Sequence, residues 1–266
     1  MADISTEHLT FERDGATAIV TMNRPEAKNA LSLPMLVGMK DAWEEIDGND
    51  DIRCAILTGA GGTFCAGMDL KAMGSPEAEK YQPRMAEDPD LHWKALLRHY
   101  DVKKPLIAAV EGWAVAGGTE ILQATHIRVA GESAVFGVFE AKRGLFPLGG
   151  STVRLRRQIP YTMAMELLLT AREVPAEEAL RIGLIGHVVP EGTALERALE
   201  IAAVIGANGP LAVEAILRSV RETEGMSEVD GLARELEIGW PIFSSNDATE
   251  GQKAFAQKRP PNYTRT

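Results

Sequence analysis

Residues 52–70 read IRCAILTGAGGTFCAGMDL, and residues 104–122 read KPLIAAVEGWAVAGGTEIL. Each opens on a continuous apolar run, the pattern of a short strand buried on both faces. Each run ends in glycines and leads towards a helix. Strands of this kind, alternating with helices, predict an α/β fold. The first glycine loop has the P-loop spacing at Gly62 and Gly67, but Met68 and Asp69 stand where Lys and Ser or Thr are needed. The dinucleotide fingerprint also fails, because Phe64 occupies the place of its third glycine. Neither loop is built for a nucleoside triphosphate.

Upstream, HLTFERDG and TAIVTMNRP predict two strands around a turn at Asp14-Gly15. Apolar spacing over residues 32–47 predicts a helix, with Ser32 and Pro34 suited to its start. Residues 72–90 read as a loop, followed by a helix through Trp93, Leu96, Leu97 and Tyr100. After the second glycine loop, HIRVAG is a further strand, and LIGHVVP is the one strand expected beyond Pro147. Three helical patterns close the chain, at 192–207, 210–223 and, with breaks, 228–257. The expected division is a core over 1–195 and a helical region over 196–266. No fixed-period repeat interrupts this scheme.

The chain has 266 residues, 45% apolar and 25% charged, with a net charge of −10. That charge and the lack of a basic run argue against nucleic acid as a partner. No run reaches the length of a membrane span, and the polar, acidic start resembles no targeting segment. Two cysteines, Cys54 and Cys65, make no disulfide framework. The expectation is a soluble cytoplasmic protein.

Amides at the start of a helix lack intrahelical acceptors. Two such amides converging from the two loops would form an oxyanion hole, needing neither lysine nor metal. Glu120 lies one helical turn after Gly117, so both face the same space. Glu140 follows between apolar residues and a Gly/Pro loop. Two carboxyls flanking one water can supply the base and the acid for adding water across a C=C bond conjugated to a thioester. The plainer alternatives are a helix-end acid for Glu120 and an ion pair with Lys142 or Arg143 for Glu140.

These motifs, with VTMNRPEAKNALS, FGVFEAKRGLFPLGGSTVRL and EGQKAFAQKRPPNY, resemble the crotonase superfamily over nearly the whole chain, specifically its enoyl-CoA hydratases and their actinobacterial members. The resemblance implies a spiral of ββα turns with a C-terminal helical trimerisation region, assembled as a homotrimer or homohexamer. It implies oxyanion-hole amides at Met68 and Gly117 and catalytic carboxyls at Glu120 and Glu140. It also implies that backbone at Ala66, Asp69 and Leu70 contacts the adenine of coenzyme A. Lys28, Lys71 and Lys258 are then candidates for the phosphates. Coenzyme A is part of the acyl-CoA substrate, so no separate cofactor and no metal are expected. The implied reaction is hydration of a trans-2-enoyl-CoA in lipid breakdown; double-bond isomerisation and non-catalytic acyl-CoA binding are the alternatives. Ala116 departs from the family's run of three glycines, as Lys142 and Arg143 do from its usual apolar residues. Arg154, Arg156 and Arg157 read as a solvated or inter-subunit basic face.

Overall fold

A computed structural model describes residues 4–69 and 79–266. Strands β1 (Leu9–Asp14) and β2 (Thr17–Met22) pair antiparallel, with Asp14 opposite Thr17. Gly15 makes the turn at φ +57°, where a side chain would be strained. Helix α1 (Leu33–Gly48) starts at Ser32, whose hydroxyl accepts the Met35 N–H at 3.4 Å. Then come β3 (Cys54–Gly59), α2 (Gln82–Glu87), α3 (Leu91–Ala95), β4 (Leu106–Val110), β5 (Trp113–Val115) and α4 (Gly117–Leu122). The chain continues through β6 (Ile127–Gly131), β7 (Val135–Gly137), α5 (Ser151–Gln158), α6 (Tyr161–Thr170), β8 (Val174–Pro175), α7 (Ala176–Arg181) and β9 (His187–Val189). Four helices close it: α8 (Ala194–Gly206), α9 (Pro210–Glu222), α10 (Glu228–Gly239) and α11 (Asn246–Gln257).

The larger sheet has the order β1-β2-β3-β4-β6-β9, parallel from β2 onward; the smaller is β5-β7-β8. The chain passes from the larger sheet to the smaller between β4 and β5, and again between β6 and β7, which winds it into a spiral.

Side-chain alternation explains the unbroken apolar runs. Ala55, Leu57, Leu106, Ala108 and Val110 face the main core with Met39 and Trp43 of α1. Their neighbours Cys54, Ile56, Ile107 and Ala109 face the other way, onto Ala194, Ala198 and Ala202 of α8. Small residues one turn apart let that helix lie close on the sheet. The boundary expected at 195/196 falls inside α8, which covers one face of the large sheet.

Three local expectations also change. Residues 82–87 are helical rather than loop. The helix expected through Tyr100 stops at Ala95, and Leu97 takes a left-handed φ of 55°. The smaller sheet was not anticipated, because strands of two or three residues are too short to show a period.

Candidate active site

The two glycine loops lie side by side. Cys65 N–H donates to Trp113 O at 2.8 Å, and Val115 N–H donates to Cys65 O at 2.9 Å. On the other side, Leu31 N–H donates to Gly67 O at 2.8 Å and Asp69 N–H to Leu31 O at 3.1 Å. This parallel bridge between Leu31 and Met68 skips the Met68 amide. Gly117 opens α4, so its amide has no helical acceptor either. Neither amide donates to a protein acceptor among the described residues.

The two amides are neighbours. A Cβ placed on Gly117 would stand 3.5 Å from Gly67 Cα and 3.7 Å from Met68 N. A Cβ on Gly67 would stand 2.8 Å from Ala116 Cβ and 3.2 Å from Gly117 N. Gly67 must therefore be glycine, and its φ of +91° demands the same. Position 118 is equally closed, since a Cβ there would fall 2.4 Å from Cys65 O. Position 116 does accept a methyl, but at a strained φ of 50° and ψ of −124°. The Ala116 N–H holds that geometry by donating to Gly137 O at 2.8 Å.

Glu120 is 4% exposed. Its Oε1 accepts the Ser151 N–H at 3.2 Å, and a Cβ on Gly149 would collide with Oε2 at 2.5 Å. Burial raises its pKa; the amides of Ser151 and Gly149, the Ser151 hydroxyl and the charge of Arg154 oppose that rise. Glu140 begins a 3-10 turn, Glu140–Arg143. Burial first, and the Glu120 charge second, push its pKa up to about 7, against its own backbone N–H and, less, the charge of Arg143. Its Oε2 is buried without a hydrogen-bond partner. The two carboxyls thus feel one another but sit in opposite settings. Donors surround Glu120 and favour the anion, whereas Glu140 has only its own backbone N–H and favours the acid. Glu120 does stand in the first turn of α4, but it is buried; and among the described residues no ion pair joins Glu140 to Lys142 or Arg143, Lys142 lying over the Phe139 ring at 4.8 Å instead.

The remaining candidates are spread more widely. The amides of Ala66 and Asp69 are already used, by Lys28 O at 3.0 Å and Leu31 O at 3.1 Å. The Asp69 carboxylate forms an ion pair with Arg24. Lys28 is exposed in a left-handed turn. Lys258 is exposed at the end of α11, and nothing in the chain joins it to the glycine loops. Leu70 and Lys71 lie outside the described residues. Arg154 corrects the basic-face expectation: it turns inward and donates to Gly149 O at 3.3 Å and to Leu97 O.

Asn29 escaped the sequence reading. It is fully buried, donates from Nδ2 to Ala60 O at 2.9 Å and Thr63 O at 2.5 Å, and accepts the Arg24 N–H at 2.8 Å. It pins the first glycine loop to the segment after β2. The available signal was its place in a short polar turn, where Asn tolerates positive φ.

Residues 12–266 match the family described as enoyl-CoA hydratase/isomerase. The chain is 59% identical over 253 residues to enoyl-CoA hydratase EchA19 of Mycobacterium tuberculosis, covering 95% of this chain and 94% of that protein. It is 37% identical to the short-chain-enoyl-CoA hydratase of Clostridium acetobutylicum, over 95% of each. A crystal structure of an enoyl-CoA hydratase from M. tuberculosis H37Rv superimposes with a TM-score of 0.89 at 42% identity, covering 98% of this chain and 100% of that one.

Proposed function

Because the chain belongs to the enoyl-CoA hydratase/isomerase family, we propose that it adds water to a trans-2-enoyl-CoA to give the 3-hydroxyacyl-CoA, as a step in the breakdown of a lipid acyl chain. The observation that carries this reading is the asymmetry of the two carboxyls beside two unpaired amides. The thioester oxygen is held by the amides of Met68 and Gly117. The Glu120 carboxylate takes a proton from water as its oxygen bonds to C3. Electrons of the C2=C3 bond shift to the thioester oxygen, whose charge the two amides stabilise. The Glu140 carboxyl then gives its proton to C2, and the carbonyl reforms. Glu120 then holds the proton taken from water and Glu140 has lost one; passing that proton from Glu120 to Glu140, directly or through solvent, restores both carboxyls, so only water is consumed.

Backbone at Ala66, Asp69 and Leu70 contacts the adenine of coenzyme A, and Lys28, Lys71 and Lys258 are offered to the phosphates. Lys258 reaches them from a second copy of the chain. Assembly as a trimer or a pair of trimers is supported by the apolar side chains that α8 to α11 leave uncovered, among them Val204, Ile216, Leu236, Trp240 and Phe243.

The test is hydration of enoyl-CoA thioesters of graded length, followed by loss of absorbance of the conjugated double bond. Glu120→Gln and Glu140→Gln should each remove turnover while leaving CoA-thioester binding intact. Full turnover in either variant refutes the assignment.

A further inference from the structure

Ser151 sits at the start of α5 and is completely buried. Its amide donates to Glu120 Oε1 at 3.2 Å, and its hydroxyl oxygen accepts from Gln123 Nε2 at 2.9 Å. Gln123 is itself only 2% exposed and caps the C-terminus of the same short helix, three residues after Glu120. An oxygen occupied as an acceptor leaves its own proton free to donate, and the carboxylate that lies against it is that of Glu120, one oxygen of which is already bound to the same residue. Around that carboxylate stand Arg154 of α5, whose charge favours the anion, and Glu140 of the 3-10 turn, whose charge opposes it. Arg154 is engaged with the carbonyls of Gly149 and Leu97, so it acts on Glu120 through space and does not fix its direction.

We infer that Ser151 is a positioning residue: its amide and hydroxyl, steadied by Gln123, hold the Glu120 carboxylate in one orientation as the base for the attacking water. The inference rests on the hydratase reading above. A backbone amide alone would bind the carboxylate wherever a helix begins. The hydroxyl adds a second donor from a fixed direction at a buried carboxylate, where a bond to an ionised acceptor is strong.

The experiment compares the full-length wild type with Ser151→Ala, Gln123→Met and Glu120→Gln, recording kcat, KM, the pH–rate profile and the thermal midpoint. Ser151→Ala keeps the amide and removes the hydroxyl. Its kcat should fall about tenfold and its acidic limb should move up by about one pH unit, with KM little changed. Gln123→Met keeps the hydroxyl but frees it to rotate, so the limb should move the same way by less. An unmoved limb in Ser151→Ala overturns the inference, as does a fall in kcat that merely follows a lower thermal midpoint. Where Ser151→Ala does not fold, the limb of Gln123→Met decides in the same terms. Glu120→Gln separates the two levels: if it still hydrates, the functional reading falls; if it is inactive while Ser151→Ala matches the wild type, only the role of Ser151 falls.

Discussion

Replacing Glu140 with Gln should make the protein more stable at pH 8 while removing its activity. In the fold, burial and the neighbouring Glu120 charge keep Glu140 protonated to about pH 7, against an ordinary value of 4.5. Between these values the folded chain binds more proton than the unfolded chain, so stability falls as pH rises through the window. At about 1.4 kcal/mol per pH unit, the ionised carboxylate would cost up to about 3 kcal/mol. Glu140 is only partly buried, and water screens it; about 1–2 kcal/mol is the reasonable remainder. Glutamine keeps the shape without the charge, and should raise the thermal midpoint at pH 8 by about 2–6 °C. The assay is thermal unfolding of wild type and variant at equal protein concentration, since assembly also shifts the midpoint. The gap should be small below pH 4.5, open towards pH 7 and stay constant above. A gap that does not change with pH, or a variant that is less stable at pH 8, refutes the argument.

The same protonation should appear in catalysis as a fall in rate above about pH 7, where Glu140 loses its proton; a rate still rising at pH 9 contradicts its role as the acid. Glu120→Gln removes the charge that helps hold the Glu140 proton, so the Glu140 pKa measured by NMR should drop; no change would mean the carboxyls are not coupled. Gly118→Ala drives a methyl to 2.4 Å from Cys65 O, and should cost about 1–3 kcal/mol in denaturant unfolding, with the two amides displaced and kcat reduced more than binding. Asn29→Ala strips partners from the carbonyls of Ala60 and Thr63 and the amide of Arg24; a loss of about 2–4 kcal/mol follows, and stability equal to wild type would show that water replaces the side chain.

Much of the spiral was legible because its strands are buried on both faces. IRCAILTG and PLIAAVEG could only be interior strands, and glycines at their ends had to mark turns. Glu120 could be set one turn from Gly117 from helical periodicity alone. The small sheet was illegible because β5, β7 and β8 offer two or three residues each and hold together through partners distant in sequence. The place of α8 was hidden for a related reason: an alanine stripe at 194, 198 and 202 reads as an ordinary helix face until the sheet it covers is known.

The sequence by itself determined which residues carry chemistry-bearing groups and where the long strands, glycine turns and longer helices lie, because local spacing and glycine conformation are properties of a short stretch. Tertiary structure alone decided which carboxyl is surrounded by donors and which keeps only its own amide. That difference comes from Gly149, Ser151 and Arg154, at and before the start of α5, reaching Glu120 while none of them reaches Glu140, and from burial, which no stretch of sequence possesses until the rest of the chain closes over it.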